Sequence, residues 1–263
     1  MISPRRERSA APFPPFFVRV WAVTLLVLCA GCGSGRELGA PEELSLLTRD
    51  GVRLAGTYYP PPAPHAPSLI LLHGLGEDRS VWREFGRRTQ QQGYGALAID
   101  LRGHGESRRK GDAKIDYGDF DEADWMKVGL DIAASKEALL DRGADSENIA
   151  AIGADVSANV LLHHAHGDWD IQAVVLLSPG LEYEGVETEP VMAAYGKRPT
   201  LMLYTTGDTY SASSVRELHR ISEGFTEIRE YQGAAHGADI VRRSNNAVNH
   251  IFLWLSQILV PQD

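Results

Sequence analysis

The sequence predicts an α/β domain built in three layers, a mostly parallel twisted sheet with helices on both faces and no large cap domain. Two observations carry this. Apolar runs of four to seven residues alternate along the chain with stretches of helical spacing, as expected of strands buried on both faces and joined by crossover helices. Glycine, serine, aspartate and histidine follow those runs at six points, and in an open parallel sheet the chemistry lies beyond the carboxyl ends of the strands. At 263 residues the chain can bury one core and is short of two comfortable ones.

Residues 44–48 and 52–59 read as strands, with Asp50-Gly51 as the hairpin signal between them. Pro60, Pro61, Pro62, Pro64 and Pro67 make a stiff connector. Residues 68–72 form a short apolar strand, 81–92 a helix closed by Gly93, and 95–99 a strand ending at Asp100. A loop rich in glycine and charge runs to Asp121. Val128, Ile132 and Leu139 fall at helical spacing within 125–140, and Gly143 ends that helix. Strand 149–153, helix 157–166, strands 171–177 and 200–204, helix 212–221 and strand 225–231 follow. Residues 239–259 read as one long final helix with an apolar face. No repeat and no second domain is visible.

Arg5, Arg6, Arg8 and Arg19 precede an apolar run, 20–30, relieved only by Thr24. A membrane-spanning helix needs roughly 20 residues. The order of basic end, apolar centre and small residues therefore reads as a signal peptide over 1–31. The alternative is a disordered basic end followed by a buried helix. Cys29-Ala30-Gly31-Cys32 ends the segment and resembles a bacterial lipobox, with Cys29 where leucine is usual. The resemblance implies cleavage before Cys32 and lipidation of Cys32, with 32–42 as a flexible tether and 43–263 as the folded domain. It implies attachment at the bacterial cell envelope, and Gly33 after the cysteine favours the outer membrane. Secretion without lipid is the alternative. The oligomeric state is not legible.

The formal net charge is −9. Without 1–31 the chain keeps 22 basic and 34 acidic side chains, a balance of −12. That argues against nucleic acid, whose binding rests on basic residues neutralising phosphate, and leaves membrane attachment to lipid chains. Cys29 and Cys32 are the only cysteines. The domain therefore has no disulfide, thiol nucleophile or thiolate metal site.

At the six strand ends stand His73-Gly74-Leu75-Gly76, then Asp100-Leu101-Arg102-Gly103-His104-Gly105-Glu106-Ser107, then Gly153-Ala154-Asp155-Val156-Ser157, then Ser178-Pro179-Gly180, then Gly207-Asp208, then Ala235-His236-Gly237. Together they resemble an α/β hydrolase, of the small bacterial esterase-like and peptidase-like group, over residues 43–259. The resemblance places Asp155 at the nucleophile position, Asp208 at the orienting-acid position and His236 at the base position. It makes the peptide N–H groups of Leu75 and Val156 the oxyanion hole. The sequence departs from the family twice: Asp155 replaces the elbow serine, and Ser157 replaces its second glycine. The Ser157 hydroxyl is expected to add strain where the turn packs on the helix. As a nucleophile Ser157 would sit two residues into the helix, off the exposed tip.

Aspartate has no proton to lose at neutral pH. Its attack on an ester would give a reactive anhydride. Displacement at a saturated carbon bearing a halide or epoxide oxygen gives an alkyl-enzyme ester instead, which water activated by His236 would hydrolyse. Dehalogenases and epoxide hydrolases of the family use that logic, with a tryptophan beside the nucleophile or with cap tyrosines. Here the neighbour is Val156, and the stretch between Ser178 and Pro199 holds about 20 residues, enough for a short lid. Tyr183 and Tyr195 lie in it. Trp82 and Trp125 are further aromatic candidates, though core packing is their commoner role. Three readings stay open: a hydrolase working through Asp155, an inactive relative that binds a ligand or protein, and an esterase-like activity without a serine nucleophile.

Taken alone, Asp208 is as well placed to cap a helix as to orient a histidine. His73 reads as a shaper of the oxyanion loop and His104 as structural. His163, His164 and His166 are spaced poorly for a metal. There is no phosphate-binding G-x-x-x-x-G-K and no G-x-G-x-x-G after a strand. The expected partner is a small-molecule substrate or ligand, with no metal and no cofactor.

Overall fold

The computed structural model describes residues 38–259. The signal-peptide segment 1–31, Cys32 and the tether residues 33–37 lie outside the described residues. Strand β1 (Glu42–Leu47) pairs antiparallel with β2 (Val52–Tyr59). Gly51 turns the hairpin at φ +86°, a conformation glycine adopts without strain. Thr48 closes the turn, its hydroxyl donating to Asp50 and accepting from the Val52 N–H.

Six strands then run parallel: β3 (Ser68–Leu72), β4 (Gly95–Ile99), β7 (Ile149–Ala154), β8 (Ile171–Leu177), β11 (Thr200–Thr205) and β12 (Thr226–Tyr231). The order across the sheet is β12-β11-β8-β7-β3-β4-β2, with β1 beyond β2. Two-residue strands β5 (Arg109–Lys110) and β6 (Ala113–Lys114) extend β2, and β9 (Glu182–Tyr183) and β10 (Val186–Glu187) form a separate small hairpin.

The helices are α1 (Arg83–Gln91), α2 (Glu122–Met126), α3 (Val128–Asp141), α4 (Val156–Gly167), α5 (Glu189–Ala194), α6 (Thr209–Ile221), α7 (Asp239–Arg243) and α8 (Asn245–Leu255). The strand period of two divides the core between them. In β3, Ile70 and Leu72 join the cluster under α3, α4 and α6, with Trp125, Ile132, Leu161 and Leu218. Leu69 and Leu71 face the other way, into the cluster of α1 and α8 with Trp82, Phe85, Ile251 and Trp254. This is the expected three-layer architecture, with no large cap insertion.

Three expectations are corrected. The segment 239–259 is two helices. Ser244 is extended (φ −126°, ψ 104°) and its hydroxyl accepts from the Ala247 N–H, starting α8 afresh. The helix expected over 125–140 begins at Glu122, capped by Asp121, and divides at Lys127. The helix expected over 212–221 begins at Thr209, because Asp208 caps it.

Candidate functional site

β7 ends at Ala154, and the chain turns into α4 through Asp155, which is held at φ +57°, ψ −129°. A non-glycine residue in that region stores on the order of 1–3 kcal/mol of strain, which the surroundings must impose. They do so on three sides. The Asp155 N–H donates to Leu177 O at 2.9 Å, and its carbonyl accepts from the Ala158 N–H at 2.9 Å. Gly153 lets the helix close onto the strand: a Cβ there would lie 2.8 Å from Ser157 O and 2.9 Å from Ala158 Cα. Ser157 does not strain the turn as the sequence suggests. Its buried hydroxyl accepts from the Ala154 N–H at 2.9 Å and faces the carbonyls of Ala154 and Leu72 at 2.9 and 3.2 Å. It is fully enclosed and presents no oxygen to solvent.

The three side chains expected at the site meet above one edge of the sheet. His236 Nε2 lies 3.4 Å from Asp155 Oδ1, and His236 Nδ1 donates to Asp208 Oδ2 at 2.6 Å. Asp208 takes both roles the sequence left open: its other oxygen accepts from the Ser211 N–H at 3.2 Å and caps α6. The His236 loop is pinned by Thr205, whose hydroxyl donates to Ala235 O at 2.7 Å. Ser178, itself at φ +50°, accepts from the Gly237 N–H at 3.0 Å.

Asp155 also reaches the loop after β3. The Leu75 N–H donates to Asp155 Oδ2 at 3.0 Å. Val156 opens α4, so its N–H has no partner within the helix. The two carboxylate oxygens have separate surroundings: Oδ1 faces the imidazole, and Oδ2 faces the cradle of loop amides after β3, where the Leu75 N–H donates to it.

His73 shapes the cradle from behind. It is fully buried, with Nδ1 donating to Gly74 O at 2.8 Å and Nε2 accepting from the Leu101 N–H at 3.0 Å. Burial, aided by neighbouring His104, pushes its pKa down to about 3, so it is a neutral hydrogen-bonding strut. His104 stacks on Tyr117 at 4.0 Å. Asp100 is fully buried and grips the loops on either side of it: its carboxylate accepts from the Arg79 N–H, the Arg79 guanidinium and the Glu106 N–H at 2.7, 2.5 and 2.8 Å.

The sequence reading missed Glu77. Its carboxylate accepts from the Gly74 N–H at 3.0 Å, beside the bond from Leu75 to Asp155. Successive amides thus hold two carboxylates. A methyl group on Gly74 would meet Glu77 Oε2 at 3.2 Å and Asp155 Oδ2 at 3.3 Å. Burial, together with the charges of Asp239 and Asp155, raises the Glu77 pKa. The signal available in the sequence was only a carboxylate three residues after Gly74.

Of the aromatic candidates, Tyr183 reaches the site. Its ring stands edge-on to His236 at 6.1 Å, with its hydroxyl against Ser211 Oγ at 3.1 Å. Tyr195 is buried in the core beside Arg198, and Trp82 and Trp125 are buried on opposite faces of the sheet. His163 bonds the Glu187 carbonyl and His164 faces Asp168. Among the described residues no cluster of three or more histidine, cysteine or carboxylate side chains could hold a metal. A further pair, His250 and Glu227 at 2.6 Å, sits near the amino end of β12, the opposite edge of the sheet from Asp155. A cavity of about 580 Å³ between α3 and α4, lined by Leu130, Lys136 and His163, also lies away from the triad.

The electrostatics of the triad follow from its charges. The Asp155 and Asp208 carboxylates bonded to His236 outweigh its burial and push its pKa up to about 9. At neutral pH the ring is an imidazolium between two carboxylates. Burial opposes ionisation of Asp208, but hydrogen bonds from His236 and Ser211 hold its pKa below the ordinary value.

No curated protein matches the sequence. A family model described as the alpha/beta hydrolase fold matches residues 67–189. Among solved structures, DcsB in complex with a substrate analogue superposes with a TM-score of 0.71 at 14% identity, covering 84% of this chain and 99% of its own. The alpha/beta hydrolase GrgF from Penicillium sp. sh18 gives 0.71 at 13%, with the same coverage. The Pyrococcus furiosus esterase Pf2001 gives 0.64 at 20%, covering 85% of this chain and 98% of its own. With its parallel sheet, its strained elbow and these likenesses, the described chain has the α/β-hydrolase fold.

Proposed function

We propose that the protein is a hydrolase that uses Asp155 as its nucleophile on a small organic molecule with a leaving group on saturated carbon, a halide or an epoxide oxygen. The division of labour between the two oxygens of Asp155 carries this reading. In the first step a lone pair of Oδ1 forms the new C–O bond, and the leaving group departs with the electron pair of the broken bond. Oδ2 stays in the amide cradle. The alkyl ester so formed is neutral. The first support for the raised pKa of His236, its bond with the Asp155 carboxylate, is then gone, and the imidazolium gives up its proton to the leaving alkoxide or to water.

In the second step neutral His236, oriented by Asp208, takes a proton from water. The resulting hydroxide adds to the Asp155 ester carbon. The negative charge on Oδ2 is met by the N–H groups of Leu75 and Val156. Collapse breaks the bond between the acyl carbon and Oδ1. Oδ1 leaves as the oxygen of the alcohol, taking the proton held by His236. The water oxygen replaces it in the Asp155 carboxyl, which returns to carboxylate by losing its proton to solvent. The base is thus inactive until the covalent intermediate exists.

The test is to trap that intermediate. His236→Gln keeps a hydrogen-bonding side chain and removes the base. Incubation with haloalkanes, epoxides and activated esters, followed by intact-protein mass measurement, is expected to show one adduct on Asp155 from an alkylating substrate. No adduct from any of them, alongside a wild type inert on the same panel, favours the second reading. In that reading the closed ion triad is a structural device in an inactive relative that binds a ligand or protein, and the short Asp208–His236 contact is what favours it. An esterase-like activity without a serine nucleophile would show turnover of the esters with no adduct.

The same proposal places the protein at the cell envelope, exported by residues 1–31 and anchored through lipid on Cys32. The outer membrane is favoured because Gly33, not aspartate, follows the cysteine.

A further inference from the structure

The site and the start of the described chain lie at opposite edges of the sheet. β1 is antiparallel to β2, and β2 is antiparallel to β4, so β1 runs with the parallel strands. Its first residue, Glu42, is therefore at the amino edge. Gly39 confirms the position: a Cβ there would strike Pro60, just past the end of β2, and Gln90 donates to both the Gly39 and Pro60 carbonyls. Asp155, Asp208 and His236 all follow carboxyl ends of strands.

The amino edge also carries two exposed aromatic side chains. Trp169 precedes β8 and is 73% exposed, and Phe225 precedes β12 and is 57% exposed. They are joined through one segment. The Arg198 guanidinium stacks on Trp169 at 4.6 Å and on Tyr195 at 4.2 Å. Gly224, next to Phe225, packs against the backbone of Gly196, Lys197 and Arg198. An exposed tryptophan backed by a stacked guanidinium is held in place, and tryptophan beside lysine and arginine suits the headgroup level of a bilayer. Asp168 and Asp170, which flank Trp169, both bond Lys136, at 2.6 and 2.8 Å, which offsets their charge.

We infer that the amino edge of the sheet, through Trp169 and Phe225, rests on the surface of a lipid bilayer, with the triad facing the aqueous side. The inference rests on lipidation of Cys32. Five residues separate Cys32 from Leu38, the first described residue. Fully extended, that link spans about 20 Å, so the start of the described chain, at the amino edge, stays within that distance of the lipidated cysteine. The chain's balance of −12 after cleavage favours a neutral surface over an anionic one. Substrate would then be taken from water and not from the bilayer.

Trp169 reports on this directly. Trp82, Trp125 and Trp254 are buried, and Trp21 precedes Cys32 and leaves with the cleaved segment. The full-length protein, processed in a bacterial host, would be placed in phosphatidylcholine vesicles brominated near the headgroup end of the acyl chains. The expected result is loss of the emission component that Trp169→Phe removes, with the loss reduced in Phe225→Ala. Intact mass reads the lipid on Cys32 separately. Lipidated, vesicle-bound protein with unquenched Trp169 overturns the inference and leaves the anchor standing. Protein without lipid that fails to sediment with vesicles overturns both. Unlipidated protein that sediments and is quenched supports the face and removes the anchor.

Discussion

Asp155 sets the state of its neighbours. A serine in its place would leave His236 with one carboxylate partner; the aspartate gives it two, and the ring stays charged at neutral pH. This links the site to stability. The pKa of His236 is raised from 6.5 to about 9 on folding, so its stabilisation is fully present below 6.5 and is lost as pH rises through about 9. The side chain is 42% exposed, and solvent screening reduces the contribution to roughly 1 kcal/mol. Asp155→Asn is therefore expected to flatten the decline in stability between about pH 6.5 and 9, read by urea unfolding at a series of pH values. A variant with the wild-type slope would mean that Asp155 does not hold the charge on the ring.

Residues at this scale were legible to unequal degrees. Asp155, Asp208 and His236 could be picked out because each closes a recognisable apolar run and their order along the chain is that of the family. Glu77 could not, because its role depends on how the loop after β3 folds back on itself. Ser157 was misjudged for a related reason: from sequence its hydroxyl is an intruder, while in the fold it satisfies the Ala154 N–H.

Elements were read best where burial alone decides them. The bounds of β2, β3, β4 and β8 coincide with the stretches 52–59, 68–72, 95–99 and 171–177, the first alternating and the others mostly apolar. The two-residue strands β5, β6, β9 and β10 are too short to show a period. The final helix was read through its break because apolar spacing continues across Ser244 while the backbone does not. Ser244 caps α8, so Ser244→Ala is expected to cost about 1 kcal/mol, measurable as a shift in the urea midpoint with unchanged slope. An unchanged midpoint would mean that α8 starts without help from that hydroxyl. The short lid expected between Ser178 and Pro199 is the β9–β10 hairpin followed by α5. Asn159 of α4 ties it down, donating to Val186 O and accepting from the Gly180 N–H at 2.9 and 3.1 Å.

Across the whole molecule, one sheet separates two tasks. Its carboxyl edge gathers Asp155, Asp208 and His236, and its amino edge carries the start of β1. The lipid proposed on Cys32 would make that polarity functional, and it has its own check. Metabolic labelling with a fatty-acid analogue is expected to mark the wild type and to disappear in Cys32→Ala; unchanged labelling would remove Cys32 as the acceptor.

The proposed chemistry depends most on the charge that Asp155 maintains on His236. The direct measurement is a titration of the His236 ring by nitrogen-15 NMR in the wild type and in Asp155→Asn. A wild-type midpoint near 9 that falls toward 6.5 in the variant is the predicted result. A wild-type ring that already titrates near 6.5 would contradict it, since the base would then be free before the covalent intermediate forms.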